Sequence, residues 1–343
     1  MATTIKCDYC GGNNIFDPRQ GKLVCEHCGN VSECGGQEPL KPLTQKYSST
    51  YTPEPNYHNE NHYVCISCGA EVSFEENEDK KRCPSCGDAS LERKNAPTVV
   101  PDAIIPFSID REKAVELFRK WISTRKFAPR DLKEMAKLGK ISGLYVPAWN
   151  VSFTLAGSYF ANVTKVDSSG DEIVSWHYPI RDSLEKTYFN ILISGNNRLG
   201  DEVIDSLSPY DIQKMRPYSS EYVYGFSGLG TDVNLHEKYD EVLSVKKEKM
   251  ADTVRDELNT KFNTIESLNM NYTTKNSKFS YLYVPIWANH YTYNGRKYHC
   301  YINGQTGKIV GKAPKSFWKI LLLLLGIGGG AIALFSLIKN MFF

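Results

Sequence analysis

Strong charge of one sign is missing from this sequence: 41 basic residues stand against 39 acidic ones, a net charge of +2. No global field therefore draws the chain onto nucleic acid, and any basic surface must be local. A charged opening segment followed by a short apolar core is also missing, so no signal peptide is expected and the N-terminus stays where it is made. The phosphate-cradling run Gly-x4-Gly-Lys-Ser/Thr of a nucleotide-driven motor does not occur. Gly307-Lys308 lacks both the upstream glycine and the hydroxyl residue. Neither HExxH, nor a Ser-His-Asp order, nor a paired-acid motif stands out, which places enzymatic readings last. Cysteine is almost absent beyond residue 86, where only Cys300 remains, a distribution that fits metal binding better than a disulfide framework spread over a secreted fold.

The cysteines that are present fall into two quartets of one spacing, C-x2-C-x14-C-x2-C: Cys7, Cys10, Cys25, Cys28 and then Cys65, Cys68, Cys83, Cys86. The constant offset between the sets is an internal repeat. Glycine follows every pair, at Gly11, Gly29, Gly69 and Gly87, as a knuckle requires where two sulfurs face one ion and the backbone turns to positive φ. Four thiolates close a tetrahedron and leave no position for water. Two structural Zn²⁺ ions per chain are therefore expected, one in ribbon 1 (residues 1–34) and one in ribbon 2 (residues 63–96), held in a reducing compartment. Cys34 reads as a spare thiol and His27 as a solvated side chain. Residues 35–62, with Pro39, Pro42, Pro53 and Pro55 among polar residues and no apolar period, read as a flexible linker.

The middle of the chain predicts two α+β units, residues 102–240 and 241–315, each a helix packed on an antiparallel sheet. In the first, Asp110 caps a helix carrying Ala114, Val115, Phe118, Trp121 and Ile122, and a second helix is expected from Pro129 through Leu132, Met135 and Leu138. In the second, Ala251, Val254 and Leu258 mark a helix. Tyr145-Val146-Pro147-Ala148-Trp149 returns as Tyr283-Val284-Pro285-Ile286-Trp287, and the proline in each predicts an edge strand or a bulge. Asn294-Gly295 predicts a tight hairpin that sets His290 opposite His299, two ligands being too few for a metal site.

From Ile320 to Ile338 no charge interrupts the sequence, and Phe317, Trp318, Phe342 and Phe343 bracket the run. A single membrane helix over 317–339 is expected, contacting lipid, with Lys312, Lys315 and Lys319 keeping the N-terminal bulk cytoplasmic. Gly326 and Gly330 form a GxxxG pattern suited to a homodimer.

The double CxxCG ribbons, Ile104-Ile105-Pro106-Phe107, the stretch Trp121 to Pro129, Tyr145 to Trp149, the turn Asn303 to Val310 and the terminal run together resemble a bacterial family. Its members are described as transcription factor IIB-type zinc-ribbon membrane proteins, many labelled as related to the primosomal replication-restart helicase. The resemblance implies this architecture, while the missing phosphate loop speaks against a motor. The functional expectation is a membrane-anchored adaptor or scaffold whose ribbons bind a protein partner. A nucleic-acid role would rest on Lys80, Lys81, Arg82, Arg93 and Lys94, which Glu75, Glu76, Glu78 and Asp79 offset.

Overall fold

The computed structural model describes residues 5–34, 45–46, 55–56, 61–66, 70–74, 83, 90–93, 98–99, 101–129, 131–132, 141–169, 172–197, 199–294, 296–316 and 319. In chain order the strands are β1 (Ile5–Lys6), β2 (Asn13–Asp17), β3 (Lys22–Cys25), β4 (Val31–Ser32), β5 (Gln45–Lys46), β6 (Pro55–Asn56), β7 (Asn61–Cys65), β8 (Ala70–Phe74) and β9 (Leu91–Arg93). They continue with β10 (Thr98–Val99), β11 (Ala103–Ile104), β12 (Ile141–Ser169), β13 (Glu172–Ser194), β14 (Arg216–Pro217), β15 (Ser227–Leu229), β16 (Thr264–Tyr293), β17 (Arg296–Asn303) and β18 (Ile309–Gly311). The helices are α1 (Arg111–Ser123), α2 (Gly200–Leu207) and α3 (Leu235–Lys261).

Strands β1 to β4 form a sheet of their own, β6 pairs with β10, and the other twelve strands make one sheet. This corrects the expectation of an α+β fold with two separate helix-plus-sheet units. Strand β12 of the first region and β16 of the second are antiparallel neighbours along almost their whole length. The repeated signature explains why. Val146 faces Val284, Tyr145 faces Pro285 and Pro147 faces Tyr283, so the two copies pair with each other instead of each seeding a sheet.

The prolines are likewise not at edges. On the side of β12 away from β16, β15 pairs up to Tyr145 and β13 takes over at Ala148, which leaves Pro147 at the handover. On the outer side of β16, β11 pairs up to Tyr283 and β17 begins at Ile286, which leaves Pro285 in the equivalent gap. A missing N–H costs nothing where no neighbour needs it. Each proline carbonyl still accepts a backbone bond, from Gly195 at 2.8 Å and from Gly304 at 2.8 Å. A Cβ on Gly195 would lie 2.9 Å from Pro147, and one on Gly304 would lie 2.8 Å from Pro285, so both handovers need glycine.

Period-two apolar residues on β12 build the core. Trp149, Val151, Phe153 and Leu155, then Tyr159, Ala161 and Val163, line the face that α3 covers. Helix α3 is capped by Asn234, whose Oδ1 accepts from the His236 N–H at 2.9 Å, and buries Leu235, Tyr239, Leu243, Met250, Ala251, Val254 and Leu258. Each such side chain contributes roughly 1.5–3 kcal/mol by area transfer. Gly157 lies beneath this helix, where a Cβ would come within 2.8 Å of the Met250 sulfur. The opposite face carries Leu144, Val146 and Ala148 against Ile204 and Leu207 of α2. Helix α1 is capped by Asp110 as its sequence predicts, and buries Ala114, Phe118, Trp121 and Ile122.

Level with Ser152, both flanking strands carry one extra residue, which shifts the register of each. Asn190 in β13 and Asn276 in β16 both take φ of 53°, a left-handed value that asparagine tolerates.

The membrane assignment is also corrected. Among the described residues no helix is long and apolar enough to cross a membrane. Helix α3, at 27 residues, has the length but carries charge along its exposed side, as at Glu241, Lys249 and Asp252. Apart from Lys319, residues 317–339 lie outside the described residues, as do Gly326 and Gly330. No described helix therefore carries the expected single-pass placement or the cytoplasmic orientation built on it. The second helix expected after Pro129 is described only at Asp131 and Leu132, and most of the expected linker lies outside the described residues.

Candidate metal centre

In ribbon 1, hairpin β2–β3 and the short strands β1 and β4 hold two knuckles against each other. The first closes with Gly11 N–H donating to Cys7 O at 2.8 Å and Cys7 N–H to Gly12 O at 2.7 Å. The second repeats it, with Gly29 N–H to Cys25 O at 3.0 Å and Cys25 N–H to Asn30 O at 2.9 Å. Gly11 and Gly29 have φ of 70° and 72°, the positive values expected after each pair. Gly12 is needed for space instead, because a Cβ there would lie 3.1 Å from the Cys25 sulfur and 3.3 Å from that of Cys10.

The Sγ atoms of Cys7, Cys10, Cys25 and Cys28 all lie within 4.8 Å of one another. Cys7 and Cys28 are 3.7 Å apart and Cys10 and Cys25 are 3.5 Å apart. Metal–sulfur bonds of about 2.3 Å in a regular tetrahedron set sulfurs about 3.8 Å apart, so the four can bind one metal ion with little rearrangement. The Cys25 thiol is held down to about 6, first by the Cys28 backbone N–H and also by that of His27. Cys28 is lowered by the Asn30 N–H, but the Cys10 thiol, burial and the other two thiols push it up to about 12. Four thiols this close compete for donors, a conflict that a bound cation removes.

Cys34 stands outside the quartet, buried beside Phe16, Leu23 and Tyr222, and burial first, then Glu221 and Glu33, push its thiol up to about 11. His27 is exposed, as expected. Of the second quartet, Cys65 and Cys83 are fully buried against Ala103, Ile105 and Val146, while Cys68 and Cys86 lie outside the described residues. Lys80, Lys81, Arg82 and Lys94 also lie outside them.

Ribbon 1 docks on the large sheet through Phe16, whose N–H donates to Tyr224 O at 3.1 Å and whose ring lies 5.3 Å from Tyr222 and 6.5 Å from Phe226. Arg19 adds an ion pair to the cap residue Asp110 at 3.2 Å. Ribbon 2 joins differently: β8 pairs with β15, Glu71 facing Gly228 and Ala70 facing Leu229.

Two polar clusters remain. His290 and His299 face each other, their Nδ1 atoms 2.6 Å apart, and burial together with His299 lowers His290 to about 4. No third ligand joins them among the described residues. No motif signals the second cluster, Thr164, His177 and Glu266, which the pairing of β12 with β13 and β16 brings together. His177 Nδ1 lies 2.6 Å from Glu266 Oε1 and 3.3 Å from Thr164 Oγ1, and Thr164 also hydrogen-bonds Glu266. A proton relay needs the two different ring nitrogens of histidine, one toward each partner. Here both partners meet the same nitrogen, so the cluster pins the irregular register at Glu266 instead of activating the hydroxyl.

Compared with known proteins, the chain is similar to a Bacillus subtilis (strain 168) protein described as uncharacterized protein YdjG, 28% identical over 352 aligned positions that cover 99% of this chain and 98% of the relative. No family model matches the chain, and no solved structure matches it.

Proposed function

We propose that this protein is a zinc-stabilised adaptor that presents a β arm to a protein partner. The observation that carries the reading is the outer part of hairpin β12–β13. Val166, Ile173, Val174, Trp176 and Tyr178 are exposed there, Ile173 at 76% and Trp176 at 53%. By strand alternation Val174, Trp176 and Tyr178 share one face of the hairpin and Val166 and Ile173 the other, so both faces of the tip expose apolar side chains, as interaction surfaces do. Among the described residues β13 pairs only with β12, so its outer edge offers free N–H and C=O groups from Ile173 to Tyr178 before Pro179 interrupts the row. An extended segment of a partner can add a strand to such an edge while its side chains cover Trp176.

In this reading each quartet holds one Zn²⁺, the first through Cys7, Cys10, Cys25 and Cys28 and the second through Cys65, Cys68, Cys83 and Cys86. Thiolate ligands select zinc or iron, and a closed four-sulfur site leaves no position for substrate, so the metal is structural. Membership of the zinc-ribbon family that the motifs resemble is part of this proposal.

A photo-crosslinking residue at position 176, introduced into the full chain in its native cells, tests the arm. A discrete protein adduct at 176 that is absent with the same residue at exposed Lys249 supports the reading. No adduct at 176, or the same adducts at both positions, overturns it. Elemental analysis checks the metal: two zinc ions per chain are expected, and one, none or iron refutes the assignment.

A further inference from the structure

Between ribbon 1 and the large sheet lies a cleft of about 560 Å³. One wall belongs to the ribbon, with Phe16, Gln20, Lys22 and Glu33. The other belongs to the body, with Pro106, Ser108, Lys214, Arg216 and Tyr222. Its charges are unbalanced. Lys22 forms an ion pair with Glu33 on the ribbon side. Lys214 and Arg216 make no ion pair with any described residue, and among those residues the side chain of Arg216 bonds through Nη1 to Met215 O at 3.1 Å, which uses one of its five donors.

The backbone beneath these two cations is fixed. A single turn, Ile212–Lys214, is capped by Asp211, whose Oδ1 accepts from Gln213 N–H at 3.0 Å. Arg216 then pairs opposite Ile104 in the sheet. Three cations against one acid and the exposed Ser108 stand over the nearly buried rings of Phe16 and Tyr222, 2% and 4% exposed. They suit a small molecule with an anionic head that offers several acceptor oxygens.

We propose that this cleft binds a small phosphorylated ligand of about mononucleotide size, its phosphate held by Lys214, Arg216 and Lys22. A phosphate offers three acceptor oxygens and up to two charges to three cations, where a carboxylate offers two oxygens and one charge. Because the walls come from different parts of the chain, the bound ligand ties ribbon 1 to the body across the junction that Phe16 already fills. The site stands independently of the adaptor reading, whose surface is on hairpin β12–β13.

Calorimetric titration of the full chain with inorganic pyrophosphate and with AMP tests this. One saturable site per chain is expected, weakening as salt rises. The double variant Lys214→Ala/Arg216→Ala should weaken binding by at least about tenfold, the scale of a lost charge-assisted bond. Glu33→Ala should tighten it by freeing Lys22, and Lys186→Ala, on β13, should leave it unchanged. Absence of saturable binding for both probes, binding that the double variant leaves intact, or equal weakening by Lys186→Ala would overturn the site. Citrate binding as tightly as pyrophosphate would overturn the phosphate assignment. The far-ultraviolet spectrum and melting temperature of the double variant, both expected unchanged, separate loss of the site from loss of the fold.

Discussion

The two cysteine-rich regions share one spacing, yet they join the body in different ways. Ribbon 1 closes four short strands into its own sheet and touches the rest chiefly at Phe16, through one backbone bond to Tyr224 and a ring set against Tyr222 and Phe226. In the second region β8 is hydrogen-bonded to β15, and Cys65 and Cys83 are packed among body residues, so this region is the margin of the large sheet. A C-x2-C-x14-C-x2-C pattern thus specifies how each knuckle turns. Whether the ribbon is an appendage or part of the body is decided by the residues around it.

Substitution of the ligands should expose this difference most strongly. Cys7→Ser should cost ribbon 1 its metal, with on the order of 10 kcal/mol of folding free energy, while the body's melting temperature moves little. Cys65→Ser should lower the melting temperature of the body itself, because its sulfur is fully buried in a cluster with Ile105 and Val146. Metal content and calorimetric melting of the two variants give the comparison, and equal behaviour would end the distinction. Next in size, Phe16→Ala should destabilise docking by about 3–5 kcal/mol and loosen ribbon 1 without metal loss, read by hydrogen exchange of the residue-16 amide, which donates to Tyr224 O.

Acid should act on the body through His290, in addition to any release of metal as the thiolates are protonated. The His290 imidazole titrates near 4 in the folded chain against an ordinary 6.5, so between these values the unfolded chain binds the extra proton. Stability is then fully present above about pH 6.5 and falls as pH drops toward 4. His290→Gln should flatten that slope in a melting-temperature series, and an unchanged slope would remove His290 as its cause. The smallest effect belongs to Arg19→Ala. Its pair with Asp110 joins a largely exposed guanidinium, so loss should cost no more than about 1 kcal/mol in chemical denaturation.

The local chemistry was the legible part. Glycines at 11 and 29 announce positive φ, Asp110 announces a cap, and Asn294-Gly295 sets Tyr291 opposite Tyr298 and His290 opposite His299, all of which the structure contains. These features depend on a few neighbouring residues. Strand partnership does not. Nothing in Tyr145 to Trp149 states that its partner is its own repeat, and the proline argued for an edge because the handover between β15 and β13 is created by segments far away in sequence. The turn at Asn303 was visible, but not its task. Asn303 Nδ2 donates to Leu207 O at 3.0 Å and so fastens the end of α2, while its Oδ1 accepts from Gln305 and Thr306 N–H. The cleft was equally hidden, since Lys22 and Arg216 meet only through docking of the ribbon.

The paired asparagines at 190 and 276 act at one level of a three-stranded ribbon, and that placement lets them set its direction. From Ser152 to the end of β12 at Ser169 the strand reaches about 55 Å at about 3.3 Å per residue. Both outer strands are irregular at one height, the Asn190 N–H is held by Ser152 Oγ at 3.0 Å, and α3 packs on either side of that level from Trp149 to Val163, so the course of the ribbon is fixed there. Over such a lever, a difference of about 10° in that course displaces Trp176 by roughly 8 Å. The direction in which the molecule reaches is therefore set by two side chains at the root of the arm, and a change at either would re-aim its tip without altering a residue of the surface it presents.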